Sequence, residues 1–275
     1  MQFVDLFYVI LLGIIEGVTE WLPISSTGHL LLVEKLFINQ LNPKIFTEAF
    51  NEMFSVLIQL GAILAVVGIF FKRLWPFRND RKTRLLLWAK LLVATIPAAL
   101  IGLIFDDLIA SWLNNPLSIS CTLIIYGVLF IVVEKKTKKV KVNDVKNISF
   151  KLALIVGLAQ TLALIPGTSR SGITIITMLL LSINRQTSTE FSFLLSVPIM
   201  FGASSLKLIK FIAKESFLNS QLILLAIGML IALMVSIIVI KFLLGFIKKH
   251  DFTGFGIYRI CLGILIVILW FFKLF

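Results

Sequence analysis

Apolar residues form six long runs along the chain, and short polar or charged segments separate these runs. The runs lie at about 54–71, 86–105, 117–133, 190–212, 221–245 and 254–275. A helix that crosses the hydrocarbon core of a bilayer needs about 20 apolar residues, within a range of about 17 to 25. The pattern therefore predicts six transmembrane helices.

Two further apolar regions are broken in the middle. Residues 3–38 are interrupted at Pro23 and the Ser-Ser-Thr-Gly that follows, and residues 149–183 are interrupted at Pro166-Gly167 and Thr-Ser-Arg-Ser-Gly. Proline removes an intrahelical hydrogen-bond donor, and glycine permits a sharp turn. Irregular backbone at membrane depth persists only where it is buried in protein or faces water. Each region is therefore predicted to be a re-entrant helix-loop-helix hairpin.

Charge in the segments between the runs predicts how the chain crosses the membrane. Loops rich in Lys and Arg stay on the cytoplasmic side, which assigns 72–85, 134–151 and 246–253 to that side and the acidic loop 106–116 to the outside. The loop cations are Lys72, Arg73, Arg78, Arg81, Lys82, Arg84, Lys135, Lys136, Lys138, Lys139, Lys141, Lys146, Lys151, Lys248 and Lys249, and the acids are Asp106 and Asp107. The number of membrane crossings agrees with these loop positions only if each hairpin returns to the side from which it entered. The N- and C-termini are then both outside.

The resulting order, a hairpin and three spans followed by a hairpin and three spans, predicts an inverted repeat within a single membrane domain, 1–275. Repeat one covers about 1–133 and repeat two about 149–275. PISSTG at 23–28 aligns with PGTSRS at 166–171. Inverted repeats with broken helices are a transporter architecture. The predicted fold is an all-α integral membrane protein with six transmembrane helices and two re-entrant hairpins.

Composition agrees with a membrane protein and excludes one class of partner. The chain is 59% hydrophobic, has 24 Phe, and carries 15% charged residues with a net charge of +12. The basic residues lie in loops and are not interleaved with aromatic residues on one helical face. We therefore expect no binding to nucleic acid, and we expect the lipid bilayer to be the chain's surroundings.

Two carboxylates in the first broken region indicate a cation. Glu16 and Glu20 are four residues apart, so on a helix they lie one turn apart on the same face. A divalent metal with oxygen ligands, Mg²⁺ or Ca²⁺ shared with a substrate phosphate, fits this pair. The alternatives are that one carboxylate is protonated, or that both face the outer aqueous boundary.

The polar segment that follows indicates an anion site. Hydroxyl groups before an apolar run are typical of a helix start, and a helix N-terminus offers free N–H groups and a positive dipole end to a phosphate. Simple capping explains one hydroxyl but not three with a histidine. The candidate residues are Ser25, Ser26, Thr27, Gly28 and His29.

The second broken region supplies a positive charge. Arg170 lies in an apolar region, where a cation needs a partner, and the planar guanidinium suits phosphate oxygens. A structural bridge from Arg170 to Glu16 or Glu20 is the alternative, and the two interpretations are compatible in a site without substrate. Neighbouring candidates for phosphate binding are Ser169, Ser171 and Thr174.

Together these residue types predict hydrolysis of a phosphate ester or anhydride. With Arg170 and a metal stabilising charge, Ser26 is the favoured nucleophile and His29 the acid or base. Ser25 and direct attack by a metal-bound water stay open. The other histidine, His250, lies in a charged loop and is interpreted as a solvated residue.

Three motifs resemble the undecaprenyl-diphosphate phosphatase family, also called the bacitracin-resistance family. They are ExxxE at 16–20, PxSSTGH at 23–29 and PGTSRSGxT at 166–174, and the similarity extends to EFSFLLSVP at 190–198 and IYR at 257–259. The family's functional positions transfer to Glu16, Glu20, Ser26, His29, Ser169, Arg170 and Thr174.

The resemblance implies a bacterial inner-membrane enzyme that removes the terminal phosphate of undecaprenyl diphosphate with a divalent metal. It also implies a role in recycling the lipid carrier for peptidoglycan synthesis, bacitracin resistance, and an active site open to the periplasm. A transporter that moves the lipid phosphate headgroup across the bilayer is the alternative. A homodimer is left open. Lys90, Tyr258 and Arg259 are interpreted as anchors at the membrane interface.

Overall fold

The computed structural model describes residues 2–77, 80–136 and 140–274, with the side chains of residues 38, 106, 107 and 110 left out. In these ranges the chain forms eleven α-helices and three 3₁₀ turns. The helices are α1 (Phe3–Thr19), α2 (Ser26–Phe37), α3 (Glu48–Ile69), α4 (Phe71–Leu74), α5 (Arg81–Leu113), α6 (Pro116–Lys135), α7 (Phe150–Gln160), α8 (Arg170–Leu180), α9 (Arg185–Ile212), α10 (Asn219–Phe246) and α11 (Thr253–Phe271). The 3₁₀ turns are Ile38–Gln40, Val145–Asn147 and Thr161–Leu164.

Six of the described helices are long and apolar enough to cross a membrane. They are α3, α5 as far as Phe105, α6, α9, α10 and α11. Each corresponds to one of the six predicted apolar runs, although α3, α5 and α9 begin about five residues earlier because polar residues extend their first turns. The prediction of an all-α membrane protein with six spanning helices is therefore confirmed.

One predicted loop is wrong in its bounds. Residues 106–116 were expected to form an outside loop, but α5 continues to Leu113 and only Asn114 and Asn115 separate it from α6. Residues 106–113 contain no proline or glycine that would end the helix. The Asn115 side chain then caps α6 by accepting a hydrogen bond from Ser118 N at 2.9 Å. The predicted loop charges Arg78, Lys138 and Lys139, and the side chains of Asp106 and Asp107, lie outside the described residues.

Both broken regions form two helices around a polar loop, as predicted, and each returns to the end where it began. In the first, Asp5 Oδ1 accepts a hydrogen bond from Asn42 N at 3.0 Å. In the second, Lys141 N donates to Ser182 O at 2.8 Å. Insertion of these hairpins into a membrane as re-entrant elements stays a prediction.

The basic segments lie at one end of the helix bundle. Arg73 after α3 pairs with Glu190 in α9, and Arg185 at the start of α9 pairs with Glu134 at the end of α6, at 2.7 Å. These ion pairs place the ends of α4 and α6 beside the start of α9, near the entry of the second hairpin. The shared location agrees with one predicted side for all the basic loops, and the identity of that side stays a prediction.

The helix packing follows corresponding pairs in the two halves of the chain. Helix α1 packs on α10 and α7 packs on α5, while α3 contacts both α9 and α10, and α6 runs along α11. At Gly61 a side chain is impossible, since a Cβ atom would lie 2.1 Å from Met229 O in α10. The pairing is what an inverted repeat would give, and the division into repeats at about 1–133 and 149–275 stays a prediction.

Candidate active site

The two polar loops meet inside the bundle, and each ends on a serine with an unusual backbone conformation. Loop one is residues 20–25, between α1 and α2, and loop two is residues 165–169, before α8. Ser25 has a φ of 74° and Ser169 has a φ of 70°. Residues with a Cβ atom rarely adopt positive φ, and such strain concentrates at functional sites.

Loop two is fixed by a turn that only glycine can make. Gly167 has a φ of 88°, and a Cβ atom there would lie 2.2 Å from Thr122 Oγ1 in α6. That Thr122 hydroxyl donates to Pro166 O at 2.7 Å. At the end of the loop, Ser169 Oγ accepts a hydrogen bond from Gly172 N at 3.2 Å and so caps α8.

Arg259 in α11 joins the two loops. Its side chain is fully buried, and its Nη1 donates to Pro23 O of loop one at 3.2 Å. Its Nη2 donates to Gly167 O at 2.8 Å and to Thr168 O at 2.9 Å, both in loop two. Three backbone carbonyls that accept no hydrogen bond within a helix therefore accept hydrogen bonds from the N–H groups of one guanidinium.

The interpretation of Arg259 as an interface anchor is wrong. Arg259 forms no ion pair within the described part of the chain, so it leaves a buried positive charge behind the site. Arg259 lies six residues inside the apolar helix α11, and its guanidinium turns to the two loops rather than to the outer surface of the bundle. That depth was the signal in the sequence, because an ionisable residue inside a span is a functional candidate by default.

Glu20 and Arg170 form the centre of the site. Arg170 Nη2 lies 3.0 Å from Glu20 Oε1, and both side chains are about nine-tenths buried. Arg170 Nη1 also donates to Ser192 O in α9 at 2.8 Å, which fixes the guanidinium plane. The other carboxylate oxygen, Glu20 Oε2, accepts a hydrogen bond from Ser26 Oγ at 3.4 Å. The predicted nucleophile, a carboxylate and the predicted phosphate-binding cation are thus in contact.

Glu16 lies one helical turn from Glu20, as the spacing predicted, since Glu20 N donates to Glu16 O at 3.0 Å. The Glu16 side chain is fully buried, and both of its carboxylate oxygens lack a hydrogen-bond donor among the described residues. A buried carboxylate without donors is costly in free energy, so this group needs a cation or a proton. Exposure at the outer aqueous boundary, one of the alternatives, does not fit its burial.

His29 contacts a partner that sequence analysis did not assign to the site. Its Nδ1 lies 2.7 Å from Ser25 O, and its Nε2 lies 2.7 Å from Tyr258 Oη. The His29 and Tyr258 rings also stack with centroids 5.6 Å apart. A carbonyl oxygen only accepts, so Nδ1 carries a proton, and in the neutral ring Nε2 is the basic nitrogen that Tyr258 donates to.

Neither ring nitrogen of His29 bonds to Ser26. The predicted serine and histidine are neighbours in sequence, but the hydroxyl of Ser26 turns to Glu20 instead. Tyr258 was interpreted as an interface anchor, and its contact with His29 places it at the edge of the site. The IYR motif contained this residue, but nothing in its spacing linked it to a histidine more than two hundred residues earlier.

The remaining predicted phosphate-binding residues differ in how free their groups are. Ser171 Oγ donates to Glu20 O at 3.3 Å, and Thr174 Oγ1 lies 2.6 Å from Ser192 Oγ. These two buried hydroxyls therefore hold the protein together around Glu20 and Arg170. The buried hydroxyl of Ser25, in contrast, has no partner among the described residues. Phosphate contacts by any of these residues stay predictions.

Thr27 and Gly28 lie in the first turn of α2, where backbone N–H groups lack helical acceptors. Thr27 is half-buried and Gly28 is buried. This turn and the first turn of α8 are the two helix starts nearest the ion pair of Glu20 with Arg170. Backbone donors from both hairpins are therefore available to an anion.

Comparison with known proteins identifies the group to which this architecture belongs. Residues 9–265 match the bacitracin resistance protein BacA family. This chain belongs to that family. The match covers almost all of both hairpins and of the six spanning helices, and so the resemblance noted from the motifs is confirmed.

Curated relatives in the family are similar over their whole lengths. "Undecaprenyl-diphosphatase" of Enterococcus faecalis (strain ATCC 700802 / V583) is 50% identical over 281 residues, covering 99% of this chain and 100% of the relative. The protein of the same name from Streptococcus mutans serotype c is 50% identical, covering 97% and 96%. That of Acetivibrio thermocellus is also 50% identical, covering 96% and 97%.

Proposed function

We propose that this chain hydrolyses undecaprenyl diphosphate to undecaprenyl phosphate and inorganic phosphate. The observation that carries the proposal is the contact of Ser26, Glu20 and Arg170 between the two loops. It provides a nucleophile, a proton acceptor and a phosphate-binding cation within one buried site. Family membership and relatives named undecaprenyl-diphosphatase at 50% identity support the same reaction and favour it over transport of the lipid headgroup.

In the first step, Ser26 Oγ attacks the terminal phosphorus of the bound diphosphate. The bond from this phosphorus to the bridging oxygen breaks, and undecaprenyl phosphate leaves with the bonding electron pair. The Ser26 proton moves to Glu20 Oε2, which already accepts its hydrogen bond. Arg170 binds the nonbridging oxygens of the phosphate. Once Glu20 is protonated, the negative charge of these oxygens replaces the Glu20 carboxylate as the partner of Arg170.

In the second step, water attacks the phosphoserine and inorganic phosphate leaves. Glu20 returns its proton to Ser26 Oγ as the bond to phosphorus breaks. The proton that the water loses is accepted by His29 Nε2, the basic nitrogen of the ring, which must part from Tyr258 to do so. Direct attack by water on the diphosphate, without a phosphoserine, is the alternative that the experiment below separates.

Glu16 and Glu20 would hold the divalent metal in the resting site, and Glu16 would keep it while Glu20 carries the Ser26 proton. Among the described residues no group of three His, Cys, Asp or Glu side chains is placed to bind one. Mg²⁺ sites nevertheless use one or two carboxylates together with substrate phosphates and water, so the pair is sufficient. The unpartnered oxygens of Glu16 fit this role. When bound, the metal would supply positive charge to the phosphate oxygens.

The family supports a place in cell-wall synthesis for this reaction. Its product, undecaprenyl phosphate, is the lipid carrier for peptidoglycan, and removal of the diphosphate would confer bacitracin resistance. We place the enzyme in the bacterial inner membrane with loop one reached from the periplasm and both termini outside. A homodimer stays a prediction.

Phosphate release from undecaprenyl diphosphate by the purified protein in detergent, with Mg²⁺ or Ca²⁺, tests the proposed function. Detergent micelles have no two sides, so a transporter would release nothing, and absence of release would refute hydrolysis.

We expect Ser26→Ala to lower turnover by about 10³-fold or more, as loss of a nucleophile does. Ser111→Ala, an exposed serine elsewhere, is the matched control. Near-normal activity of Ser26→Ala would rule out Ser26 as the nucleophile and would leave Ser25 and direct attack by water.

A further inference from the structure

A second cavity lies at the basic end of the bundle, away from the two loops. It has a volume of about 290 Å³ and lies between α4, the start of α5 and the 3₁₀ turn Val145–Asn147. Five cationic side chains line it, together with only two acids, Asp80 and Asp144. The cations are Lys72, Arg73, Arg84, Lys90 and Lys146. Its lining is therefore strongly positive.

The partners within the protein do not neutralise this charge. Arg73 pairs with Glu190, and Arg84 Nη1 donates to Trp75 O at 3.2 Å. The two acids offset only part of the positive charge of the lining. Asp80 Oδ1 accepts from the Thr83 hydroxyl and the Asp144 side chain caps the 3₁₀ turn, and within the described ranges neither acid forms an ion pair with a lysine of the cavity. The three lysines form no ion pair within the described ranges.

Lys90 distinguishes this cavity from an ordinary basic loop. Lys90 is only 6% exposed, and among the described residues its ammonium group makes one hydrogen bond, to Lys146 O at 2.9 Å. An ammonium has three donors, so two are left for a ligand. Lys90 follows the first residue of α5 by nine positions, which is about 13 Å along the helix axis. The preference for positive charge on the cytoplasmic side explains exposed lysines but not this buried one.

An apolar surface borders the cavity. Leu86 lines it and is 44% exposed. Nearby, Trp75 and Phe77 are exposed, and the Trp75 ring stacks on Phe71 with centroids 5.3 Å apart. Exposed aromatic rings of this kind are typical of residues at the level of lipid headgroups. A ligand that places an anion in the cavity would thus have its apolar part beside a lipid-facing surface.

We propose that this cavity binds the phosphate of an anionic phospholipid headgroup, with Lys90, Lys72 and Lys146 as its cationic ligands. Basic pockets between helices on the cytoplasmic side of membrane proteins bind such headgroups. A free phosphate ion offers the same oxygen atoms but would gain nothing from the apolar border. The lipid is therefore the occupant that charge and surroundings favour, and the site is separate from the proposed reaction.

Native mass spectrometry of the full-length protein in detergent, with added phosphatidylglycerol or phosphatidylcholine, tests this site. We expect retained phosphatidylglycerol and little phosphatidylcholine on the unaltered protein. Each of Lys90→Met, Lys72→Ala and Lys146→Ala should lower phosphatidylglycerol occupancy by about fivefold, the ratio given by about 1 kcal/mol per lysine. Lys151→Ala, an exposed lysine outside the cavity, is the matched control.

Three outcomes would overturn the proposal. The first is equal retention of the two lipids, and the second is unchanged phosphatidylglycerol binding in all three lysine variants. The third is thermal stabilisation by inorganic phosphate that depends on Lys90 while phosphatidylglycerol has no effect, which would make the ligand a free ion. Retention of phosphatidylglycerol by Arg170→Ala, at the level of the unaltered protein, is expected and separates this site from the active site. Because Lys72 and Lys146 are exposed, their variants test the site even if Lys90→Met fails to fold.

Discussion

Loop one and loop two have the same backbone plan and opposite chemistry. Each follows a half-helix and ends on a serine with positive φ, at Ser25 and Ser169. A polar residue lies nine positions before each serine, Glu16 in the first case and Gln160 in the second. Both of these side chains are buried without a hydrogen-bond partner among the described residues. Only the first loop, however, has carboxylates in it or beside it, and only the second has a cation beside it.

The likeness of the two loops fits the predicted inverted repeat, in which the chemistry would be divided between the two copies. It also corrects the alignment of the two motifs by one residue. PISSTG was aligned with PGTSRS at their prolines, but the strained serines match only when Ser25 is set against Ser169. Gly28 then aligns with Gly172, and Ser26 aligns with Arg170. The proposed nucleophile of one hairpin and the proposed phosphate-binding cation of the other therefore occupy equivalent places at the start of a helix.

Removing the cation of the second loop is expected to have the largest effect. Arg170→Ala deletes the ion-pair partner of Glu20, and with it the group that we propose binds the phosphate oxygens. We expect kcat/KM for phosphate release to fall by about 10³-fold, near the upper range for losing one donor to a developing negative charge.

Arg170→Lys is the matched variant, since it keeps the charge but loses the planar fork that spans Glu20 and Ser192 O. It should recover only part of the activity. If Arg170→Ala retains turnover within a few fold of the unaltered protein, the division of charge between the loops is irrelevant to the reaction.

Arg259→Met should disturb both loops at once. Three carbonyls of Pro23, Gly167 and Thr168 would lose their donor, and a shift of about 1 Å in a reacting group can cost about 10²-fold in rate. We therefore expect a fall in kcat of that size, measured as phosphate release, together with a lower Tm.

Arg259→Lys separates positioning from mere stability. A lysine keeps the buried charge but cannot reach both loops with a fixed fork. Recovery of Tm without recovery of kcat would support the positioning role. Recovery of both together would show that charge alone, and not the link between the loops, matters at this position.

The sequence predicted most of the fold because the relevant signals are local. Runs of about 20 apolar residues and proline-glycine breaks depend on neighbouring residues only. The same locality predicted that Glu16 and Glu20 lie one turn apart. The pairing of Arg170 with a carboxylate was predicted from charge instead, because a cation in an apolar region needs a partner. The end of α5 was missed because Asp106 and Asp107 give the segment the charge of a loop. The segment 106–113 nevertheless contains no residue that stops a helix.

Two parts of the site could not be predicted because they depend on contacts between distant segments. Arg259 and Tyr258 lie more than two hundred residues after loop one. Arg259 donates to three backbone carbonyls, and Tyr258 bonds to a ring nitrogen of His29. Backbone carbonyls have no signature in a sequence. The bond of Ser26 to Glu20, in place of His29, likewise depends on how loop one turns at Ser25.

Glu16→Gln places a glutamine at the position equivalent to Gln160. The two hairpins differ there only in the charge of the side chain. We expect phosphate release to fall by about 10- to 100-fold, as changes around a metal commonly cause, with a higher metal concentration for half-maximal activity. The Tm measured without metal should rise, because an amide is cheaper to bury than a carboxylate without donors. Activity and stability should thus change in opposite directions.

Gln160→Met is the matched control for this last test, and it carries the smallest expected effect. Gln160 is as buried and as unpartnered as Glu16, but it has no charge and no metal role. Replacing a buried polar group that lacks partners with an apolar one is close to neutral or stabilising. We therefore expect activity within about twofold of the unaltered protein and the same metal dependence. If Gln160→Met lowers activity as much as Glu16→Gln, burial rather than charge explains the effect of both residues. If Glu16→Gln leaves the metal dependence unchanged, Glu16 does not bind the metal.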